Sequence, residues 1–480
     1  MRRLDQAWAI GVAALLLIWP AIWNGYPLVF ADSGTYLGQA LLGYVGWDRP
    51  PFYSLFLLGL HWRLSLWPVV LGQGLLLAHL LHLVLRTQGH PGPVPLILTA
   101  LALAVFSGLP FFAAQIQPDL FTGVVVLCAW LIGFRQAALS VAERRYVMLL
   151  ATLAIAVHQS HLPLAFGLAG VGALLWSCRG ILPALRALAR LALPPLMALL
   201  ALVCVNWAAH GIAAPSPYGA VFLATRMLFD DSGKAWLARH CAETAGQATQ
   251  FKVCALGGHL GEGHNDFLWT LDGPLYSQLG GPKGWAPEAA AIVRGVVLED
   301  PVTMLRAAVE NTLEQLGRTA TGDGLNAWLG SPGPEPVIAR FFPAEHAAFR
   351  AARQQRGEML PMAQRLSPLH GIAFLACLLG LMGALVQPGG RPRTLGAVVL
   401  TAMVLAAVLG NAVITGALSG PADRYQARLT WLGLVALIGM LLPMPRPAAG
   451  PSGLAVPVAG AAGAKRRAKG AECQGCMPGQ

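Results

Sequence analysis

The sequence predicts an all-α polytopic membrane protein with about ten transmembrane helices and a mostly helical domain on the outer side. Three observations support this class. Hydrophobic residues make up 56% of the 480 residues and charged residues only 11%, with a mean hydropathy of +0.58, whereas soluble domains contain about 25% charged residues. Apolar runs recur towards both ends of the chain, and basic residues gather in alternate connections between these runs.

Each apolar run is close to the length that crosses about 30 Å of hydrocarbon. The runs lie near residues 5–23, 65–86, 94–112, 119–135, 146–161, 162–178, 190–209, 367–387, 394–418 and 427–444. The first run is predicted to remain as a helix and not to be a cleaved signal peptide. It continues into Asn24-Gly25 without a small-residue cleavage site, and further spans follow.

Basic residues mark one side of the membrane. Arg86, Arg135, Arg144 and Arg145 lie in short connections on that side, and the positive-inside rule then places both termini in the cytoplasm. The net charge of +11 is therefore a topology signal. No folded domain shows the basic face that would predict nucleic-acid binding.

The predicted organisation has four parts. They are an N-terminal transmembrane module at 1–209 with a first outer loop at 24–64, an outer (periplasmic) domain at 210–366, C-terminal transmembrane helices at 367–445, and a disordered basic tail at 446–480. The stretch 210–366 is too long for a passive connection. Within it, Asp300-Pro301 is predicted to open a helix. Its apolar face would comprise Met304, Leu305, Ala308, Leu313 and Leu316.

The first outer loop carries the densest group of polar residues. Asp32, Tyr36, Asp48 and Arg49 follow one another at the membrane edge. Apolar residues at helical spacing between Ser33 and Tyr44 predict a short helix on the membrane surface, and residues 52–62 predict a second short helix. Asp32 is either a functional carboxylate or a turn and helix-capping residue.

Other outer turns add further candidates. Asp119 begins an apolar run, where a carboxylate is favoured by the helix dipole, so capping and function are equally good interpretations. His158 and His161 could contact a substrate or a metal, or could bond to backbone. Arg424 and Arg428 flank Tyr425 before the last run. Arginines there can bind phosphate or reach lipid head groups.

Cysteines and histidines in the outer domain raise two further questions. Cys241 and Cys254 could form a disulfide in an oxidising compartment. A divalent metal is possible at a short cluster of potential ligands, although solvated loop residues are the simpler interpretation. The cluster comprises His259, Glu262, His264 and Asp266. The tail also has a Cys-x-x-Cys pair at 473–476, without a second pair to complete a metal site.

Four segments together resemble the GT-C glycosyltransferases, such as protein O-mannosyltransferases and aminoarabinose transferases. They are ADSGTYL at 31–37, RPPFY at 49–53, QPDL at 117–120 and DRY at 423–425. The resemblance covers the first two hundred residues and the last sixty, and the DxD-type metal signature of some members is missing. It implies a GT-C-like fold in the bacterial inner membrane and a polyprenyl-phosphate-linked sugar donor.

The resemblance also implies residue roles. An acid in the first outer loop carries catalysis in that family, which makes Asp32 the catalytic base, and a carboxylate within hydrogen-bond reach can remove an acceptor proton. Arg49, Arg424 and Arg428 would bind the lipid phosphate. Asp119, as a second catalytic candidate, and His161 would line the acceptor side. The other substrate-binding candidates are Tyr36, Asp48, His158 and Tyr425.

Two other function classes remain open at this point. A multi-spanning transporter or flippase would use the acids and histidines as ion or substrate sites, although no charge lies clearly at mid-depth of a span and no inverted repeat is visible. A scaffold would bind a partner through its outer domain and would tolerate Asp32→Asn. Membrane lipids are the expected surroundings in each case.

Overall fold

The computed structural model describes residues 2–243, 251–330, 332–386 and 395–442. Within these ranges the chain is helical and forms no β-strand. Leu28 and Gln115 make one isolated parallel bridge, which joins the first outer loop to the turn before Asp119. The all-α class is therefore confirmed. The predicted tail at 446–480 lies outside the described residues.

Eleven of the described α-helices lie in the first 210 residues, and proline in the first turn opens several of them, as at Pro68 and Pro93. They are α1 (Arg2–Leu17), α2 (Trp19–Asn24), α3 (Ala31–Leu42), α4 (Phe52–His61), α5 (Trp67–Thr87), α6 (Pro93–Phe106), α7 (Leu109–Ala113), α8 (Leu120–Phe134), α9 (Val141–Ala156), α10 (His161–Ser177) and α11 (Ile181–His210).

The other described helices follow residue 210. They are α12 (Gly219–Phe229), α13 (Asp231–Glu243), α14 (His264–Trp269), α15 (Pro274–Ser277), α16 (Gly281–Glu299), α17 (Pro301–Gly317), α18 (Glu335–Phe341), α19 (Pro343–Ala351), α20 (Met359–Val386), α21 (Leu395–Leu418) and α22 (Asp423–Leu441). Short 3₁₀ helices occur at Gln136–Ala138 and Lys252–Leu256.

Four helices in the described ranges are long and apolar enough to cross a membrane. They are Trp67–Thr87, Ile181–His210, Met359–Ala384 and Gly396–Leu418. Two other predicted runs are each divided in two: residues 5–23 form α1 and α2, and residues 94–112 form α6 and α7. The four long helices agree with a membrane protein, but they do not confirm the predicted count of about ten spans.

The helix that carries Asp32 packs inside the protein. It begins at Ala31, two residues earlier than predicted, and ends at Leu42. The next residue, Gly43, has a φ of 71°, in the left-handed region that glycine adopts readily. Tyr36 and Leu37 are fully buried. The predicted short helix is therefore confirmed, and these two residues pack into the protein core.

The second half of the stretch 210–366 packs on the first outer loop. Gln354 donates to the Val29 carbonyl at 2.7 Å and accepts from the Val29 N–H at 3.0 Å. Asn24 Oδ1 accepts from the Gln354 N–H at 2.7 Å. Beside Asp32, a Cβ atom on Gly34 would lie 2.9 Å from the Gly333 carbonyl oxygen. The segment that contains Gly333 and Gln354 therefore covers the start of α3.

This close approach predicts that Gly34→Ala destabilises the protein. The neighbouring backbone at Gly333 cannot rotate away as a flexible side chain would, so we expect a loss of about 1–3 kcal/mol. The matched control is Gly59→Ala in α4, where an added methyl group meets nothing within 4 Å and alanine favours the helix by up to about 1 kcal/mol. Thermal unfolding in detergent measures the stability of the two variants. Equal stability of the two variants would contradict the close packing.

Buried apolar residues form two clusters. The larger includes Tyr36, Phe121 and Trp431, together with Phe342 and Phe349 from the hydrophilic stretch. The second lies entirely within residues 218–296 and surrounds Trp285. The stretch 210–366 therefore contributes side chains to both clusters. Residues 1–444 form one compact unit.

The helix after Asp300 begins as predicted but buries only part of the predicted apolar face. In α17, Leu305 and Leu313 are 66% and 63% exposed, whereas Ala307 and Gln315 are buried. The Gln315 side chain donates to the Ala422 carbonyl at 2.9 Å and accepts from its N–H at 3.0 Å. The predicted apolar face is therefore right only in part: Met304 and Leu316 pack against the two clusters, but α17 also docks through small and polar residues.

Candidate functional site

Asp32 lies in the first turn of α3, and Ser33 fixes the position of that turn. The Phe30 N–H donates to Ser33 Oγ at 2.9 Å, and the same hydroxyl donates to the Ile116 carbonyl at 2.7 Å. These bonds hold the start of α3 against the turn that precedes α8. As a result, Gln117 Nε2 donates to Asp32 Oδ2 at 3.1 Å.

Two arginines flank the Asp32 carboxylate. Arg49 Nη2 donates to Oδ1 at 2.8 Å, and Arg424 Nη1 lies 3.8 Å from Oδ2. Their guanidinium groups stack on Trp269 and Phe30, at 5.1 and 4.3 Å from the ring centroids. Burial acts to raise the pKa of Asp32, but Arg49 and Arg424 outweigh it and hold the pKa below its ordinary value of 3.8. Asp32 is therefore ionised at neutral pH.

Asp48 and Tyr36 border the same carboxylate. Asp48 Oδ2 lies 3.6 Å from Arg49 Nη1, and burial, with the charge of Asp32, raises the pKa of Asp48 while Arg49 opposes the increase. Burial also raises the pKa of the Tyr36 phenol, and the charges of Asp32 and Asp119 act in the same direction. Tyr36 thus presents a neutral hydroxyl close to both aspartates.

Asp119 forms a buried ion pair with Arg428. Arg428 Nη1 donates to Asp119 Oδ1 at 2.7 Å, and the two side chains are 0% and 2% exposed. Asp119 immediately precedes α8, but its carboxylate accepts no hydrogen bond from the backbone of that helix. The capping interpretation of Asp119 is therefore wrong: the carboxylate compensates a buried cation instead.

Polar side chains from two further elements complete the surroundings of Arg428. Its Nη2 donates to Ser160 Oγ and to Asn411 Oδ1, each at 3.1 Å. Asn411 Nδ2 in turn donates to the Tyr425 carbonyl at 2.6 Å. Arg428 is therefore held from α21 and the turn before α10, in addition to Asp119. Such a network leaves the guanidinium little freedom to follow a ligand.

Arg424 and Arg428 lie one helical turn apart on α22, on the same face. Tyr425 separates them: its ring centroid lies 5.2 Å from the Arg424 guanidinium carbon and 5.4 Å from that of Arg428. One arginine therefore reaches Asp32 of the first outer loop, and the next reaches Asp119. The structure therefore brings five predicted residues into one cluster: Asp32, Asp119, Arg424, Tyr425 and Arg428.

The two histidines play different parts. His161 Nδ1 donates to the Ala154 carbonyl at 2.6 Å, so its Nε2 accepts from the Thr122 hydroxyl at 2.7 Å. This agrees with the prediction that at least one histidine bonds to backbone. His158 lies in the turn between α9 and α10, where its Nδ1 accepts from the Ser160 N–H at 3.3 Å. Burial, together with the charge of Arg428, lowers the pKa of His158 well below 6.5.

The low pKa of His158 predicts a pH effect on stability. The folded state keeps the imidazole neutral while the unfolded chain protonates it, so stability falls as the pH decreases below about 6.5. We expect His158→Gln to reduce this acid loss by up to about 1.4 kcal/mol per pH unit, as measured by chemical unfolding between about pH 5 and 8. His259→Gln, in an exposed loop, is the control. An unchanged slope in His158→Gln would contradict the buried neutral state.

Five buried polar atoms in this cluster make no hydrogen bond within the described part of the chain. They are Tyr36 Oη, Gln117 Oε1, Asp119 Oδ2, Arg424 Nη1 and Arg428 Nε. Buried polar atoms in folded proteins almost always have partners. Donors and acceptors left together around two aspartates and two arginines are therefore suited to a polar ligand that both donates and accepts hydrogen bonds.

Sequence reasoning missed three members of the cluster as site residues: Gln117, Ser160 and Asn411. Gln117 and Ser160 differ little in sequence from ordinary turn residues. Asn411 carried a signal, because an amide in the middle of the apolar run 394–418 must find a partner in the protein interior. That signal would have indicated a buried polar network at this depth.

The predicted metal ligands are not brought together as one set. Asp266 accepts from Thr270 Oγ1 at 2.6 Å and from the Glu262 N–H at 3.1 Å, while His259 bonds to the Leu256 carbonyl at 3.1 Å. His264 instead packs beside Gly420. Across the described ranges, no three His, Cys, Asp or Glu side chains form a group able to hold a metal ion.

The cysteines of the outer stretch are joined. Cys241 and Cys254 form a disulfide, which closes a short loop between α13 and the following 3₁₀ helix. The predicted Cys-x-x-Cys pair at 473–476 lies outside the described residues.

The fold and the cluster define a helical protein with candidate membrane spans and a buried charged site made by the first outer loop and the last helix. Compared with known proteins, the chain matches no family model, no curated protein and no solved structure. Its function is therefore argued from the geometry of the site.

Proposed function

We propose that this protein is a membrane glycosyltransferase of GT-C type that moves a sugar from a polyprenyl-phosphate donor to a hydroxyl acceptor. In this proposal about ten helices or helix pairs span the bacterial inner membrane, with both termini in the cytoplasm. The cluster around Asp32 opens to the outer face. The acceptor is a lipid, a glycan or a protein.

Asp32 is the proposed catalytic base. The acceptor oxygen forms a bond to the anomeric carbon, the bond from that carbon to the phosphate oxygen breaks, and Asp32 takes the acceptor proton. The bonding electrons leave with the polyprenyl phosphate. A carboxylate whose pKa is held low is a weak base, but it is always ionised at neutral pH, and proton removal by a positioned group contributes about 10²–10⁴-fold to a rate.

Arg424 is the proposed phosphate-binding cation. Arg49 is committed to Asp32 at 2.8 Å and Arg428 to Asp119 at 2.7 Å. Arg424 has only a 3.8 Å ion pair with Asp32, and its Nη1 makes no hydrogen bond to the described chain. Its guanidinium can therefore turn towards a phosphate at the least cost. Arg424 also borders a small cleft with Phe111, Phe112 and Asp323, where apolar and charged walls meet.

One observation carries the proposal. The ionised Asp32 and the weakly paired Arg424 converge from opposite ends of the chain on a cluster whose buried donors and acceptors lack partners. A base next to a phosphate-binding cation is the arrangement that sugar transfer from a lipid phosphate requires.

Ligand-induced stabilisation of the purified protein tests this proposal. Polyprenyl phosphate at a hundredfold excess over its Kd should stabilise the folded state by about 2.7 kcal/mol. Arg424→Ala should weaken the effect, and Asp32→Asn should keep it. Arg306→Ala is the matched control, because Arg306 is 77% exposed in a surface pair with Glu310. No stabilisation by polyprenyl phosphate or its sugar-linked forms would contradict a donor site.

The buried Asp119–Arg428 pair favours a second candidate, a transporter or flippase for a lipid-linked or small polar substrate. Ionisable residues inside helices of membrane proteins frequently mark transport pathways. A transporter would move its substrate across the bilayer unchanged. Release of the lipid phosphate from the donor therefore separates the two functions.

A further inference from the structure

A second charged recess lies far from the Asp32 cluster, between the end of α10 and the start of α11. This groove of about 600 Å³ is lined by Trp176, Pro183, Arg186, Ala189 and Arg190. Because α10 begins at His161 of the first cluster and rises about 1.5 Å per residue, Trp176 lies roughly 22 Å further along the helix. The two sites occupy opposite ends of α10.

The arginines of this groove have no acidic partners in the part of the chain that the structure describes. Neither Arg186 nor Arg190 forms an ion pair with any carboxylate in the described ranges. Arg190 is oriented by neutral groups instead: its Nη1 donates to Gln136 Oε1 at 3.0 Å, and its Nε donates to the Arg186 carbonyl at 3.1 Å. Two uncompensated charges one helical turn apart favour an anion between them.

An aromatic rim borders these charges. Trp176 Nε1 donates to the Gly133 carbonyl at 3.1 Å, and its ring stacks on Phe134. The Arg179 guanidinium lies 5.0 Å from the centroid of Trp176. The rim is thus held rigidly and adds a third cation. Tryptophan and arginine together are typical of the head-group level of a membrane protein.

The same face of α11 continues as an exposed apolar stripe. After Arg186 and Arg190, it presents Leu193, Met197 and Leu200 at intervals of three and four residues, each substantially exposed. Only 28% of the most apolar window of this candidate span is buried. A ligand seated at the arginines would therefore meet apolar surface along the helix.

We propose that this groove binds the phosphate head group of an anionic phospholipid, with an acyl chain along the Leu193–Leu200 stripe. The arginines would bind the phosphate, and the apolar stripe would contact the acyl chain. Basic pockets between transmembrane helices bind anionic lipids in this way. The proposal concerns a site separate from the Asp32 cluster and does not depend on sugar transfer.

Native mass spectrometry of the delipidated protein in detergent tests the proposal. The probes are phosphatidylglycerol, phosphatidylethanolamine and glycerol phosphate, and we expect preferential binding of one phosphatidylglycerol. The double variant R186Q/R190Q should bind it about thirtyfold more weakly, since each arginine near an anionic lipid contributes about a fivefold factor. The double variant R144Q/R145Q removes the same charge from exposed positions at the start of α9 and should change the affinity less than about threefold.

Three results would overturn the proposal. Equal binding of phosphatidylethanolamine would show that the stripe alone selects the ligand. Displacement of the lipid by an equal concentration of glycerol phosphate would assign the groove to a free phosphate. Equal losses in the two double variants would indicate a diffuse charge effect. The first two comparisons use the wild-type protein and hold even if R186Q/R190Q does not fold.

Discussion

Asp32→Asn should lower turnover by about 10²–10⁴-fold while the protein still folds and binds polyprenyl phosphate. The amide is nearly isosteric with the carboxylate, and its oxygen can still accept from Arg49 while its NH2 group can donate to the Gln117 carbonyl after that amide turns over. It cannot take a proton from an acceptor hydroxyl. A loss in kcat at an unchanged affinity for the donor is the expected pattern, because the missing interaction belongs to the transition state. Steady-state kinetics measure kcat and the affinity for the donor, and thermal unfolding checks that the variant is folded.

Asp48→Asn is the matched control for this experiment. It removes a carboxylate that lies 3.6 Å from the same arginine, yet Asp48 does not contact Gln117 or Arg424 in the way that Asp32 does. We expect a loss of no more than about tenfold, because Asp48 affects only the local charge. Equal losses in the two variants, or normal turnover in Asp32→Asn, would remove Asp32 from its catalytic role.

Arg428→Ala should have the largest effect on stability. It leaves the buried Asp119 carboxylate without its hydrogen-bonded cation, and it also removes the donors to Ser160 and Asn411. Breaking one side of a buried ion pair typically costs about 3–5 kcal/mol. Chemical unfolding in detergent should show this loss, and part of the protein should fail to insert or should aggregate.

The double variant Asp119→Leu/Arg428→Met tests the cause of that loss. Apolar residues in place of both charges often restore or exceed the stability of the wild type, so we expect a recovery of most of the lost free energy. Activity should not recover, because the polar surroundings of the cluster are gone. A double variant as unstable as Arg428→Ala would show that the two charges do not compensate each other.

The helices could be predicted where apolar residues alone decide the structure. The runs at 65–86 and 394–418 became α5 and α21 with ends shifted by no more than two residues. The prediction missed the points where a run is divided into two helices, as at Trp19-Pro20 and at Ser107-Gly108. It was only partly right for the buried face of α17, because that helix also docks through Ala307 and Gln315, which the distribution of its large apolar residues does not indicate.

The site could be predicted in part. Asp32 and Arg49 lie in one loop of the sequence, and an arginine beside an acid at a membrane edge was a visible signal. The pairing of Asp119 with Arg428 was not visible, because 309 residues separate them and helix packing alone brings them together. The covering of α3 by Gly333 and Gln354 was equally hidden, since it depends on backbone contacts.

The most direct test is the amount of polyprenyl phosphate released from a polyprenyl-phosphate sugar by the protein in liposomes. A cell-envelope extract supplies acceptors, and Asp32→Asn is measured beside the wild type. The account predicts release by the wild-type protein and at least about a hundredfold less by Asp32→Asn. Passage of the intact donor across the bilayer at equal rates in both proteins, without release, would contradict it and indicate a transporter.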